Sequence, residues 1–146
     1  MKNIGGIVMK DCVFCKIVSR EISGYVIYEN EYVLAFLDIS QTTKGHTLII
    51  PKEHRVDIFE MESPLMEQVF SVAPKIASAL KETFGCSGIN VVSNNGKSAG
   101  QSVFHYHVHL IPRYEDDKFG IRFVNNMKKY DTEKLTALKN KIKMNI

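Results

Sequence analysis

Three of the chain's five histidines stand at alternate positions of one segment, "QSVFHYHVHLIPR" at residues 101–113. Successive side chains of a β-strand point to opposite faces, so His105, His107 and His109 would share one face of a strand. A neutral imidazole suits nucleophilic and acid–base work near pH 7, because its ordinary pKa is about 6.5. A single strand histidine is usually just packed or solvated, but three in strict alternation predict a functional row.

The spacing of this row limits what one metal ion could do there. At about 3.3 Å per residue, His105 and His109 would lie about 13 Å apart along an extended strand. A zinc–nitrogen bond is only about 2.0–2.1 Å long, so one ion cannot bind all three imidazoles. Two adjacent histidines could share a metal, and we therefore expect the row to hold more than one function.

The polar loop "SNNGKSAGQS" at residues 93–102 leads directly into the histidines. Gly100 leaves room for close backbone approach, while Gln101, Ser102 and backbone N–H groups can donate to phosphate oxygens. A histidine that attacks phosphorus forms a phosphoramidate and divides one difficult displacement into two easier ones. A glycine-containing loop is often only a turn, but here it favours a phosphate site beside an imidazole nucleophile.

A Cys-x-x-Cys pair at Cys12 and Cys15 is a second candidate for chemistry. One helical turn would bring the two thiolates to the same face, which suits half of a tetrahedral zinc site. A redox motif or two buried thiols are the alternatives. The chain has no second such pair, so any other metal ligands must be histidine or carboxylate, and Cys86 has the pattern of an idle thiol.

The elements that must position these residues follow from apolar periodicity and turn signals. Strands are predicted at about residues 25–28, 32–37, 45–51, 88–93 and 106–112. Helices are predicted from Asp11, at residues 63–84 and at residues 131–143, with Ser63 as the cap of the long one. Pro74 should kink or split that helix. Short turns between strands, with helices set apart, predict an α+β fold with an antiparallel sheet.

Composition bounds the remaining possibilities. A chain of 146 residues with 45% hydrophobic and 24% charged residues is expected to be one soluble globular domain. Its net charge of +3 is too mild to predict nucleic-acid binding. Residues 1–11 are too short and too glycine-rich for a signal peptide, and no apolar run reaches the length of a membrane span. We therefore expect a cytoplasmic protein, with Met9 as a possible start.

The segment "QSVFHYHVHLIPR" resembles the H-φ-H-φ-H-φ-φ signature of the histidine triad (HIT) family of nucleotide hydrolases and transferases, φ being hydrophobic. The resemblance extends through "FCKIVSREI", "YVLAFLDI", "KGHTLIIPKEH" and "NVVSNNG", over roughly residues 11–114. It is strongest to the Hint-like branch, which includes bacterial Hit proteins. Residues 115–146 read as a carboxy-terminal extension of the same domain, closed by the terminal helix.

The resemblance implies a role for each catalytic candidate. In the family the middle histidine is the nucleophile that takes up a nucleoside monophosphate, which here means His107. His109 would bond to the α-phosphate and assist proton movement, with Ser102 as the third catalytic candidate. The phosphate would be held by Gly100, Gln101, Ser102 and Val103.

The nucleoside would be held by residues from elsewhere in the chain. The resemblance puts Asp38 on the ribose hydroxyls and Asn94 beside the phosphate and ribose. Ile17, Phe36 and Ile39 would line the base pocket. Without the family, Asp38 could equally be a strand-end cap and Asn94 part of a plain turn. The three apolar residues could equally be core residues. His46, at the mouth of the third strand, suits a place near the pocket or a surface turn equally well.

Some family members hold a zinc ion with such a cysteine pair, a histidine of a "PKxH" segment and the first triad histidine. Those positions correspond to Cys12, Cys15, His54 and His105, a closed and therefore structural zinc site. No organic cofactor is implied. The resemblance also implies the α+β HIT fold, a five-stranded antiparallel sheet with a long helix and a short amino-terminal helix, the helices lying on one side of the sheet. It further implies a homodimer that joins two sheets across the long helix.

The function that follows is hydrolysis at the α-phosphorus of a purine nucleoside phosphoramidate, through a nucleotidyl-histidine intermediate, to release the nucleoside monophosphate. Cleavage of dinucleoside polyphosphates is the alternative within the enzymes. A zinc-stabilised nucleotide-binding or regulatory module with little catalysis is the alternative of another class.

Overall fold

Five runs of apolar and β-branched residues pair into one antiparallel sheet in the computed structural model, which describes residues 9–146. The strands are β1 (Val26–Glu29), β2 (Val33–Leu37), β3 (Thr47–Pro51), β4 (Gly88–Val92) and β5 (Val108–Arg113), in the spatial order β1-β2-β3-β5-β4. All five predicted strands are present, and the prediction of an antiparallel α+β sheet is confirmed. Residues 1–8, on which the prediction of no signal peptide rests, lie outside the described residues.

Alternation along β2 and β3 divides the apolar residues between the two faces of this sheet. Val33, Ala35 and Ile49 pack with Tyr106, Val108 and Leu110 against the long helix α2 (Ser63–Phe84). Leu34, Phe36, Leu48 and Ile50 pack on the opposite face against Phe14 and Ile17 of the short helix α1 (Val13–Val18). The expectation of helices on one side was therefore wrong, because two sheet faces rich in apolar residues must both be covered.

The long helix has the predicted bounds but not the predicted cap. Glu62 precedes its first residue as the N-cap, so Ser63 already lies inside, and Gly85 ends it in the left-handed conformation at φ 67°. Pro74 does not split the helix, which continues through it as one element. Pro74 is exposed, so water can reach the carbonyl that its missing N–H leaves free.

Helix α1 begins one residue later than the sequence suggested. Its N-cap is Cys12 rather than Asp11, and the Cys12 side chain makes no capping hydrogen bond. Cys12 therefore stands at the start of the helix while Cys15 lies one turn into it. Both cysteines reach the same imidazole nitrogen of His105, as described below.

The turn before β3 depends on a glycine and a glutamine. Gly45 has φ +90°, and a Cβ there would come within 2.8 Å of the Phe84 ring at the end of α2. The Gln41 side chain accepts from the backbone N–H of Gly45 and donates to the carbonyls of Asp38 and His46. These bonds fix the direction in which the His46 side chain enters the fold.

Strand β5 begins at Val108, so only His109 of the three alternating histidines lies within a strand. His105 and His107 belong to the irregular segment before it, which contradicts a predicted strand start at Tyr106. Alternation nevertheless continues through this segment, because Tyr106 and Val108 pack on the α2 face. The backbone N–H of Tyr106 donates to the carbonyl of Arg55 in the loop after β3, instead of to a neighbouring strand.

After β5, hydrogen bonds from Arg113 hold the chain where it leaves the sheet. Arg113 donates to both carboxylate oxygens of Asp117 and to the carbonyl of Phe119, and its guanidinium lies over the Phe119 ring. From residue 120 to residue 146 every side chain is exposed, including those of the terminal helix α3 (Thr132–Lys143), which Asp131 caps. Within residues 9–146, no helix has the length and apolar character needed to cross a membrane.

Candidate functional site

His107 has the clearest arrangement for a nucleophile. Its Nδ1 lies 2.7 Å from the backbone carbonyl oxygen of His105, and a carbonyl can only accept, so Nδ1 carries the proton. The lone pair of the neutral ring is therefore on Nε2. Burial lowers the pKa of His107, although the bond to the His105 carbonyl acts in the opposite direction. The ring is held edge-on to Phe14, at 5.3 Å between centroids, and stays unprotonated near neutral pH.

His109 stands beside this nucleophile and is supported from behind by His46. The rings of His107 and His109 lie 4.9 Å apart between centroids, and Nδ1 of His109 lies 2.9 Å from Nε2 of His46. Burial lowers the pKa of His109 to about 4, and the neighbouring imidazoles His107 and His46 add to this effect. His107 and His109 are therefore both uncharged at neutral pH when nothing is bound in the cavity.

Asp38 supplies the negative charge of this cluster. Its Oδ1 accepts from the backbone N–H and the hydroxyl of Ser40, while its Oδ2 lies 3.7 Å from Nε2 of His46. Burial alone would raise the pKa of Asp38, but the two bonds from Ser40 and the nearby His46 and His109 outweigh it, and the pKa is lowered. The carboxylate is therefore ionised at neutral pH.

A cavity of about 400 Å³ opens in front of these groups. Eight of the eleven residues predicted for nucleotide contact line it: Ile17, Phe36, Asp38, Ile39, Ser102, Val103, His107 and His109. Its apolar wall comes from both sheet and helix, with Phe14 and Leu48 joining the predicted side chains. Ile39 is 88% exposed and so forms the rim instead of a buried wall. The size and the mixed lining suit a small molecule with an apolar part and a charged part.

The loop before the histidines is built differently from the prediction. Gln101 is buried, and its side chain accepts from the N–H of Gly96 and donates to the carbonyls of Val56 and Val103. It therefore holds the loop in shape, and a role for its amide on phosphate stays a prediction. Gly100 has φ +84°, which explains the glycine, and Ser102 is exposed at the edge of the cavity.

Asn94 and its neighbour also differ from expectation. Asn94 does not line the cavity; its contact with phosphate and ribose stays a prediction. The adjacent Asn95 accepts from the backbone N–H of Ile58 and donates to Ser93. Asn95 thereby ties the loop of residues 93–102 to the short turn after β3, a long-range role that its place in an Asn-Asn-Gly turn does not reveal.

A second cluster joins the two cysteines to two histidines. Nδ1 of His105 lies 3.5 Å from Sγ of Cys12 and 3.6 Å from Sγ of Cys15, and Nδ1 of His54 lies 3.4 Å from Sγ of Cys15. All four ligand atoms lie within 4.8 Å of one another. In tetrahedral zinc coordination the sulfur and nitrogen ligands stand about 3.5 Å apart. The four side chains thus already have the spacing that a zinc ion requires.

The protonation states of the cysteine–histidine cluster also suit metal binding. Nε2 of His105 lies 2.8 Å from the carbonyl oxygen of Pro51, so that nitrogen carries the proton and Nδ1 presents its lone pair to the cysteines. Burial lowers the pKa of His105 to about 4 and raises that of Cys15 to about 11. An imidazole that is already neutral is ready to bind a cation, whereas the Cys15 thiol must lose its proton on binding.

Two residues of this region were missed or left open at the level of sequence. Phe14 contacts Phe36, His105 and His107 with its ring, and so separates the metal cluster from the cavity. Its position inside the Cys-x-x-Cys pair was the only available signal. His46 was left between a pocket and a surface turn; it is 3% exposed and contacts His109 directly.

Comparison with known proteins agrees with this geometry. The protein-family model for the HIT domain matches residues 19–116 of this chain. The Hit protein of Bacillus subtilis is 48% identical over 134 residues, which cover 91% of this chain and 92% of that protein. The chain belongs to the HIT family. The adenosine 5′-monophosphoramidase of Saccharomyces cerevisiae is 41% identical over 111 residues, covering 75% of this chain and 66% of the yeast protein.

Solved structures place this HIT protein in the expected fold. A HIT family protein from Bacillus anthracis superposes with a TM-score of 0.90 at 48% identity, over 94% of this chain and 98% of that one. A zinc-bound histidine triad protein from Mycobacterium smegmatis superposes with a TM-score of 0.72 at 40% identity, over 82% of this chain and 86% of that one. The prediction of the HIT fold with its long and short helices is confirmed.

The buried, neutral His109 predicts a specific loss of stability in acid. Between its folded pKa of about 4 and the ordinary imidazole value of about 6.5, the unfolded chain binds a proton at this position that the folded chain does not. The stabilisation is therefore complete above pH 6.5 and is lost as the pH falls towards 4. The free energy of unfolding, measured with urea, should fall further from pH 7 to pH 5 in the wild type than in His109→Gln. Equal losses in both proteins would contradict the low pKa.

Proposed function

We propose that this protein hydrolyses purine nucleoside phosphoramidates at the α-phosphorus through a covalent nucleotide on Nε2 of His107. The observation that carries the proposal is the 2.7 Å bond from Nδ1 of His107 to the His105 carbonyl, which leaves Nε2 as a nucleophile of fixed direction beside the cavity. The name of the yeast relative, an adenosine 5′-monophosphoramidase, supports the same substrate class.

The reaction divides into two displacements on phosphorus. Nε2 of His107 attacks, a phosphorus–nitrogen bond forms to the imidazole, and the bond to the leaving amine breaks as that amine takes up a proton. Water then attacks the same phosphorus, the bond to His107 breaks, and the monophosphate leaves with the neutral imidazole restored. His109 and the backbone donors of the loop near Ser102 stabilise the charge on the phosphoryl oxygens.

The nucleophile can be tested with adenosine 5′-phosphoramidate. AMP release should fall by about 10⁴-fold or more in His107→Ala, and mass spectrometry of quenched wild-type protein should find a nucleotidyl adduct on His107. His109→Gln is the matched comparison, because it keeps the nucleophile and should still form the adduct, only more slowly. AMP release by His107→Ala at the wild-type rate would rule out this mechanism.

Dinucleoside polyphosphates remain the second candidate because of a neighbouring cavity. A space of about 420 Å³ shares Val13, Ser102 and Val103 with the nucleotide cavity, and Val56 and Phe104 line it as well. A leaving group larger than an amine could occupy it. Faster turnover of a diadenosine polyphosphate than of the phosphoramidate would favour this candidate, whereas AMP binding with neither activity would favour a binding module.

We further propose that Cys12, Cys15, His54 and His105 hold a structural zinc ion. With all four positions of a tetrahedron filled, the ion would have no open site for substrate and would tie helix α1 to the loop after β3 and to the catalytic segment. The distances between the ligand atoms and the zinc-bound Mycobacterium smegmatis relative support this assignment. The ion takes no part in the displacements on phosphorus.

The zinc proposal predicts different outcomes for two cysteines. Cys12→Ser should lose bound zinc, measured by elemental analysis, and with it the stabilisation of about 2.7 kcal/mol that a ligand gives at 100 times its Kd. Cys86→Ser is the control, because Cys86 is a buried cysteine that lies outside the cluster. Zinc content that stays at one ion per chain in Cys12→Ser would contradict the assignment.

We also propose a homodimer formed along β4 and the adjacent face of α2. Strand β4 is at the edge of the sheet, and Phe70, Ser78 and Lys81 of α2 are exposed on one stripe of the helix. A shallow cavity lined by both elements connects that stripe to the start of β4. An open sheet edge beside an exposed aromatic residue is a surface that natural proteins usually cover.

The dimer can be tested by placing a charge in this surface. Phe70 is 44% exposed, and Phe70→Glu should shift the protein from dimer to monomer in analytical ultracentrifugation. Ile27→Glu is the control, since Ile27 is similarly exposed, at 47%, on β1, which forms the opposite edge of the sheet from β4. A wild-type protein that sediments as a monomer would refute the proposal.

A further inference from the structure

A second group of possible metal ligands lies beside the nucleotide cavity itself. Nε2 of His46 lies 2.9 Å from Nδ1 of His109 and 3.7 Å from Oδ2 of Asp38, and the three ligand atoms all lie within 4.8 Å of one another. These residues share no ligand with the Cys₂His₂ cluster. Asp38 and His109 also line the cavity, so the group faces the space that a nucleotide would use.

The spacing and chemistry of this group fit a first-row transition ion. Nitrogen and oxygen ligands of tetrahedral zinc stand about 3.3–3.4 Å apart, and the observed separations of 2.9 and 3.7 Å lie on either side of that value. Two imidazoles and one carboxylate are a ligand set of zinc sites that keep an open position. Three protein ligands leave the fourth position to water, in contrast to the closed cysteine–histidine cluster.

The protonation of the group also favours a cation. Burial lowers the pKa values of His46 and His109, so neither imidazole has to lose a positive charge before it binds metal. Asp38 is ionised and supplies the negative charge that a divalent ion seeks. Because Oδ1 of Asp38 is held by Ser40, the oxygen turned towards the histidines is Oδ2.

We propose that Asp38, His46 and His109 form a second metal site, which binds a divalent transition ion such as Zn²⁺ or Co²⁺ and thereby excludes the nucleotide. The inference rests on the proposed function for its consequence, because it removes from the nucleotide the same Asp38 and His109 that are predicted to contact ribose and phosphate. It makes free transition metal a competitive inhibitor of this HIT protein.

One feature of His46 sets the strength of the site below that of the cysteine–histidine cluster. Its Nδ1 is buried and has no hydrogen-bond partner among the described residues. Metal on Nε2 requires the proton on Nδ1, where it would be an unsatisfied donor, and ligating histidines normally donate that proton to an acceptor. The cysteine–histidine cluster should therefore fill first, and the second site only at higher metal concentration.

Cobalt distinguishes the two sites in one titration of the metal-free full chain. The first equivalent should give the intense near-ultraviolet charge-transfer absorption of thiolate-bound Co²⁺. The second equivalent should add only visible bands, because its ligands are nitrogen and oxygen. AMP added afterwards should remove the second set of bands and leave the first, and Zn²⁺ present at saturation should raise the apparent Kd of AMP in calorimetry.

Two substitutions assign the second equivalent to these residues. Asp38→Asn and His46→Gln should each weaken it by about tenfold or more, while the thiolate absorption of the first equivalent shows that each variant still folds. Asp116→Asn is the matched control, because Asp116 is an exposed carboxylate outside the group. Both equivalents should bind to it as to the wild type.

Three results would overturn the inference: saturation at one equivalent, a second equivalent unchanged in both variants, or tighter AMP binding in the presence of metal. The last would mean that metal and nucleotide bind together. Failure of the proposed function has a different signature. If a second equivalent binds and AMP displaces it, but no phosphoramidate is hydrolysed, the metal site stands and the proposed reaction does not.

Discussion

The segment that carries the first two alternating histidines lies outside any regular strand and is held by individual hydrogen bonds, and both side-chain clusters depend on it. The carbonyl of His105 receives Nδ1–H of His107, while the His105 side chain is fixed by the carbonyl of Pro51 and faces the cysteines. One residue therefore sets the tautomer of His107 and contributes a nitrogen to the cysteine–histidine cluster. A shift of this segment would disturb both, which is how the proposed zinc ion, without an open position, would affect the proposed reaction.

Burial gives these imidazoles their chemistry by keeping them uncharged. His105 and His107 are 0% and 5% exposed, and the cost of charging a buried ring lowers the pKa of each. A neutral ring has one donor and one acceptor nitrogen, so each hydrogen bond to a carbonyl determines what the opposite nitrogen can do. In His107, which lines the cavity, this leaves the lone pair on Nε2, and in His105 it leaves Nδ1 facing the cysteines. The carbonyl that holds one nitrogen of a ring thus determines which nitrogen the ring presents to its surroundings.

The sequence was most informative where local pattern and side-chain chemistry agreed. Alternation predicted the two faces of the histidine segment, and the Cys-x-x-Cys spacing predicted two thiols on one face of a helix, which the structure places beside the same imidazole. It was least informative for contacts between residues distant in the chain. His46 meets His109 across 63 residues and Asn95 meets Ile58 across 37, and no periodicity encodes such a pairing. Gln101 shows the same limit, since a polar residue in a phosphate loop can equally well hold the loop together.

The carboxy-terminal arm, residues 118–146, has an apolar helix side that the rest of the chain does not cover. Residues 118–146 contain eight lysines and arginines and two acidic residues, a net charge of +6, so the rest of the chain must carry −3. Helix α3 has Leu135, Leu138 and Ile142 on one side, each about half exposed. A twelve-residue helix is marginal in water without a surface to cover its apolar side. In the proposed dimer a second copy would bring a further surface that could cover this apolar side.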